Sequence, residues 1–182
     1  TFQDNLTATT TTISTGTGNF NTVSGTTTSN LQFTNNGTAN LNTGLTGNVT
    51  TTADNKGTLN LVGSNNQTIT GTVGGVGASL AEVNAGVNGS TSTFANDVYA
   101  TNLDVEGTGT VNLDGNFTGT AIRYNDNGIV NLADGKNINS SVTTDAPNQG
   151  TLNLTGTSTV SGQVGDATNN LKEINANGIA GK

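Results

Sequence analysis

The chain of 182 residues has no cysteine, histidine, methionine or tryptophan, and one proline. Without cysteine there is neither disulfide stapling nor thiolate chemistry, a lack that leaves the compartment open. With histidine missing as well, the familiar nucleophile triads and zinc sites cannot be assembled from this segment, and serines such as Ser24 and Ser158 have no candidate base. Charge is scarce: five Lys plus Arg stand against twelve Asp plus Glu, for a formal net charge of −7. An acidic chain repels a phosphate backbone, which argues against a nucleic-acid partner. No apolar run approaches the roughly 18 residues of a membrane span. Thr1 opens without a basic or apolar leader region, so any export signal is expected to lie outside the segment.

What is present is threonine, asparagine and 26 glycines, with only 30% hydrophobic residues. So low a hydrophobicity raises the question of disorder, but the net charge is modest and the apolar residues recur at regular places, which favours ordered, repetitive β structure. Thr, Asn and Gly are weak helix formers while Thr is good in strands, so almost no helix is expected.

One short phrase organises the chain. Gly57-Thr58-Leu59-Asn60-Leu61 returns as Gly37-Thr38-Ala39-Asn40-Leu41, Gly109-Thr110-Val111-Asn112-Leu113, Gly128-Ile129-Val130-Asn131-Leu132 and Gly150-Thr151-Leu152-Asn153-Leu154. The starts lie 20, 19 and 22 residues apart (37 to 57, 109 to 128, 128 to 150), the length of one coil of a stacked solenoid. Within the phrase the two apolar residues point one way and Thr and Asn the other. Stacked coils turn the apolar positions into columns that fill a narrow interior and the asparagines into an outer ladder.

A longer period overlies this one: residues 1–92 are followed by a diverged copy, 93–182, in one continuous stack. Thr1-Phe2 answers Thr93-Phe94, Phe33 answers Tyr124, and Leu80, Glu82, Val83 and Asn84-Ala85 answer Leu171, Glu173, Ile174 and Asn175-Ala176. The offset drifts from 91 to 93, with extra residues around Ser64 to Gln67 expected to bulge out at a turn. The expectation is an all-β fold, a parallel β-solenoid (β-helix) of roughly nine coils, right-handed because parallel crossovers are. Its end edges need a cap, further repeats or another molecule. No capping sequence is visible at Thr1 or Lys182, which read as cuts through a longer array or as surfaces awaiting a neighbour.

Gly-Thr-Leu-Asn-Leu-x-Gly at 57–63 and 150–156, each followed by a Thr-Ile-Thr-Gly-like strand and then Leu-x-Glu-Val/Ile-Asn-Ala, resembles the passenger repeats of bacterial autotransporters. The likeness is greatest to the surface cell antigens and outer-membrane proteins of rickettsiae. It implies a right-handed β-helical passenger, secreted across the outer membrane by a separate C-terminal β-barrel and serving adhesion at the cell surface. That barrel is not in this sequence.

Few residues carry chemistry. A polysaccharide-acting enzyme on a solenoid would need paired carboxylates or a basic residue with a carboxylate in an aromatic-lined groove. The best such cluster is Asp104, Glu106 and Asp114 with Arg123 and Tyr124, whose plain reading is solvated surface charge. Calcium is the one cofactor to weigh, through oxygen ligands. Asp104 and Glu106, two apart, would share a strand face, while Asp97 and Asp114 would sit on neighbouring coils, but no calcium-loop or β-roll nonapeptide motif is present. Glu82 and Glu173 recur in both copies and read as structural corners. Glycosylation sequons at Asn5, Asn48, Asn66, Asn88, Asn116, Asn139 and Asn153 arise easily in so Asn- and Thr-rich a chain.

The copies differ in charge: three acids and one lysine in the first, nine acids and four basic residues in the second, seven of those acids falling between Asp97 and Asp145. A kept scaffold with a changed surface is how a repeat protein diversifies a contact face. The sequence thus points to a non-enzymatic, extracellular structural or adhesive module of a bacterial surface protein. Its partner would be a host-cell or neighbouring-cell surface, or identical subunits through the stack ends. A self-assembling filament or layer subunit is the alternative, and an enzyme acting on polysaccharide a distant third.

Overall fold

The alternation of the repeated phrase dictates a short strand with one apolar face. In the computed structural model, which describes residues 1–2, 4–21, 27–87 and 89–178, every return of the phrase is such a strand. The first copy forms β1 (Leu6–Ile13), β2 (Thr17–Phe20), β3 (Thr27–Phe33), β4 (Thr38–Leu41), β5 (Leu45–Thr46), β6 (Val49–Thr51), β7 (Thr58–Leu61), β8 (Gln67–Ile69) and β9 (Leu80–Ala85). β10 (Thr91–Phe94) straddles the boundary between the copies. The second copy continues with β11 (Val98–Val105), β12 (Thr110–Leu113), β13 (Phe117–Tyr124) and β14 (Ile129–Leu132). It ends with β15 (Asn137–Thr144), β16 (Gln149–Thr155), β17 (Thr159–Val160) and β18 (Leu171–Asn177). Among the described residues there is no helix, and every strand-to-strand pairing is parallel. The result is a β-solenoid of about eight turns, close to the nine expected.

Each turn passes three stations, and the interior residues at each station stack into a column. The first column runs Thr27, Leu45, Ile69, Phe94, Leu113, Leu132, Leu154 and Ala176. The second runs Leu31, Val49, Val73, Val98, Phe117, Ile138 and Val160, joined through isolated bridges at Val73. The third runs Ala39, Leu59, Val83, Leu103, Ile122, Val142 and Val164. Most of these side chains are fully buried, which supplies the hydrophobic drive of a chain that is only 30% apolar. The apolar residues suffice because most of them fill these columns; among the described residues the large ones left exposed are Phe2, Val62, Val76 and Ile174.

The corners are fitted by glycine. Gly57 (φ +78) and its equivalent Gly150 (φ +75) lie in the left-handed region, and a Cβ there would fall 2.3 Å from the Phe33 ring and 2.5 Å from the Tyr124 ring. The aromatic of one coil thus closes over the bare backbone of the next, in both copies. Phe2, the counterpart of the buried Phe94, stacks on Phe20 at 5.4 Å and is 41% exposed.

The two copies are equivalent in sequence but not in orientation. From Leu59 to its equivalent Leu152 the chain passes thirteen stations, three to a turn, so the copies are offset by four and one third turns. The repeated phrase therefore occupies the third column in the first copy (β4, β7) and the first column in the second (β12, β14, β16).

Two sequence expectations need correction. Ser64, Asn65 and Asn66 do lie in an exposed loop, but Gln67 turns inward, where its Nε2 donates to the carbonyls of Leu41 (2.7 Å) and Thr43 (3.4 Å). Glu82 and Glu173 are not corner residues. They lie within β9 and β18, in register with Thr58 and Thr151 respectively.

Candidate functional site

The outward asparagines of the repeated phrase bond coil to coil. In the first copy Asn40 Nδ2 donates to Asn19 Oδ1, Asn60 to Asn40 and Asn84 to Asn60, each at 2.7 Å. In the second copy Asn131 donates to Asn112 (2.8 Å), Asn153 to Asn131 (2.7 Å) and Asn175 to Asn153 (2.9 Å). Parallel in-register stacking sets like side chains one coil apart, and an amide, being donor and acceptor at once, is the residue type that such a column can repeat indefinitely.

Because the copies are rotated, the first ladder does not run into the second. Above Asn84 in its column come Asp104 and then Arg123. Asp104 is 4% exposed and takes two bonds from the guanidinium, Nε to Oδ1 at 2.6 Å and a terminal nitrogen to Oδ2 at 2.5 Å. Such a fork is the strong form of an ion pair, and it offsets the cost of carrying a carboxylate into the stack. The hydrogen bonds to Asp104 raise the Arg123 pKa, burial opposes them, and the charges of Asp104, Glu82 and Asp145 add to the rise. At this junction Asn84 Oδ1 is buried and meets no donor.

Glu106 lies one residue beyond the end of β11, so strand alternation does not carry to it. It is exposed and accepts from Asn125 Nδ2 at 3.1 Å. With Asn60, Asn84, Leu61, Val62 and Val87 it lines an open surface groove of about 510 Å³. That groove offers amide and carboxylate oxygens beside apolar wall, which suits contact with hydroxyl or amine groups and supplies no nucleophile–base pair.

Asp97 and Asp114 do sit on neighbouring coils, at the corner between the first and second columns. Asp97 is already engaged: its Oδ1 accepts from the Asn116 backbone at 2.8 Å and from Asn116 Nδ2 at 3.1 Å. Asp97 belongs to a second ladder, in which Asn30, Asn48, Asp97 and Asn116, each just before a second-column residue, cap the backbone one coil on. Asn30 Oδ1 accepts from the Asn48 amide, Asn48 from Thr72 and Asn116 from Asn137, each at 2.9 Å. Sequence reading missed this corner ladder, although its signal is plain once the columns are known: an Asn, Asp or Thr precedes each of Leu31, Val49, Val73, Val98, Phe117, Ile138 and Val160.

The four calcium candidates are thus divided between two places, Asp104 and Glu106 at one, Asp97 and Asp114 at another. Among the described residues no three acids come together as a metal-binding group. The cluster weighed for a polysaccharide-acting enzyme is divided too. Arg123 is spent on Asp104, Asp114 lies at the other corner, and Tyr124 is buried with its hydroxyl on the Thr151 carbonyl at 2.9 Å and its pKa raised by burial. Of the sequons, Asn48, Asn116 and Asn153 have their side chains in the ladders, Asn139 bonds Thr118 at 3.3 Å, and Asn66 stands in the exposed loop. Asn88 and Ser24 lie outside the described residues, and Ser158 Oγ is buried without a partner. Three acids hold turns: Asp54 accepts from the Ser79 amide and hydroxyl, Asp134 from those of Thr157, and Asp166 from the Thr168 and Asn169 amides, and these bonds lower all three pKa values. Among the described residues no helix is long and apolar enough to cross a membrane. Searches with protein-family models, against curated proteins and against solved structures find no match to this chain.

Proposed function

We propose that this chain is a non-enzymatic, extracellular structural or adhesive module of a bacterial surface protein, of the autotransporter-passenger kind, presenting a stiff β-solenoid to a host-cell or neighbouring-cell surface. The observation that carries this reading is the use to which the polar side chains are put. The asparagines and most of the acids that could have formed a site are spent on coil-to-coil bonds, which stiffen a rod and leave its flanks for contact. Within it, the groove beside Glu106 is where hydroxyl-rich surface groups would lodge.

The test is retention of cells on beads coated with the purified chain, alongside incubation with a panel of polysaccharides. Retention without depolymerisation is expected. Depolymerisation that disappears with Asp104→Asn or Glu106→Gln would overturn the reading in favour of an enzyme, and loss of all retention would remove the adhesive half of it. A second reading, a subunit that assembles end to end, draws on one observation: Ile174, equivalent to the fully buried Val83, is 51% exposed.

A further inference from the structure

The junction between the two copies is a worked example of how one copy seats on another. There Phe94 pairs with Ile69, Val98 with Val73, Asn102 with Glu82, Leu103 with Val83, Asp104 with Asn84 and Val105 with Ala85. The counterparts of the lower set recur in the second copy as Val160, Val164, Glu173, Ile174, Asn175 and Ala176. Among the described residues β18 is paired on one side only, with β16. The counterparts of the upper set, at an offset of 92, are Phe2, Leu6, Thr10, Thr11, Thr12 and Ile13, and β1 too is paired on one side only, with β3.

We propose that the β18 face is a docking surface for a second copy of this chain, which seats its Phe2 over Val160, its Leu6 over Val164 and its Thr11 over Ile174, in the register of the internal junction. The two faces are matched in chemistry. Each amide of the ladder donates to the preceding coil and accepts from the following one, so Asn175 Oδ1 awaits a donor from the next coil. In the proposed register the residue opposite is Thr12, whose hydroxyl donates. At the internal junction the same place is held by Asp104, which has no proton to give, and Asn84 Oδ1 goes unpaired. The join between molecules therefore satisfies a bond that the join within the molecule leaves unmade. Each side also brings an exposed large apolar residue, Phe2 at 41% and Ile174 at 51%, and an unpaired sheet edge that a like edge can extend.

The register fixes the geometry of the assembly. Two copies of four and one third turns advance each molecule by two thirds of a turn, so three molecules complete the repeat. At about 4.8 Å per coil the step is about 42 Å and the full repeat about 125 Å.

This inference rests on the end-to-end reading for the existence of assembly and adds the register. Sedimentation velocity and electron microscopy of the chain over a range of concentration test it. The expected result is concentration-dependent rods with the ~42 Å step, which Ile174→Lys weakens by about tenfold or more while circular dichroism keeps the β signal. Val76→Lys, at a mid-stack residue 89% exposed, leaves assembly unchanged. A chain that stays monomeric throughout overturns both the end-to-end reading and the register. Assembly with another step, or indifferent to Ile174→Lys, overturns the register alone.

Discussion

The two copies use the same interior and different exteriors. Phe33 over Gly57 and Tyr124 over Gly150 are one corner made twice, and Val83 and Ile174 hold the same strand position. What differs is the neighbour. A strand of the first copy's phrase has the second copy's β11 and β13 above it in its column, so an asparagine ladder gives way to Asp104 and Arg123. The offset of a third of a turn lets a duplicated chain place like ladders on two faces, and the Asp104–Arg123 pair arises where the second copy's strands continue a column that was built by another part of the repeat.

The corners give the largest expected effects and should not tell the copies apart. Gly57→Ala and Gly150→Ala each place a Cβ against an aromatic ring at positive φ, and each is expected to cost about 3 kcal/mol in urea denaturation. Gly16→Ala has the same φ problem (+81) with open space around it and should cost about 1 kcal/mol. Unequal losses at Gly57 and Gly150 would break the equivalence of the two corners.

The junction comes next. Arg123→Ala leaves the carboxylate of Asp104 buried without its fork. A loss of about 2 kcal/mol is expected, below that of a fully buried pair because the arginine side chain is 39% exposed. Adding Asp104→Asn to Arg123→Ala should restore most of it, since a new amide would extend the first ladder and donate to Asn84 Oδ1. A double variant no better than the single would contradict the ladder account.

Within the ladders, Asn60→Ala and Asn131→Ala each remove two amide bonds and should cost about 1–2 kcal/mol, while Asn175→Ala, which removes one at the last rung, should cost about half as much. The smallest effect is that of acid. The carboxyls of Asp54, Asp134 and Asp166 titrate below their usual value of 3.8, so the stability they contribute is present above that pH and is lost as pH falls through their folded values. The urea midpoint should fall slightly on acidification, and Asp134→Asn should flatten that fall.

The solenoid was legible because its signals are local: the strand alternation, the glycine before each phrase and the spacing of 19 to 22 residues all follow from short windows of sequence. The roles of the acids were not, because they depend on which residue lies one coil away. Asp97 reads as a ligand until Asn116 is found above it, and Asp104 with Glu106 reads as a pair until the strand is seen to stop at Val105. The rotation of the copies was hidden for the same reason. A 92-residue offset looks like a whole number of coils until the half-hidden stations at Leu31, Val73 and Val98 are counted.

The offset of one third of a turn is the central claim, and engineered disulfides test it most directly in a chain with no cysteine of its own. Neighbouring coils lie about 4.8 Å apart, within disulfide reach. Asn84→Cys with Asp104→Cys should cross-link on mild oxidation, and Asn84→Cys with Asn112→Cys should not. If the copies instead stacked in phase, Asn112 would follow Asn84 in one column, and the opposite pattern of cross-links would contradict the account.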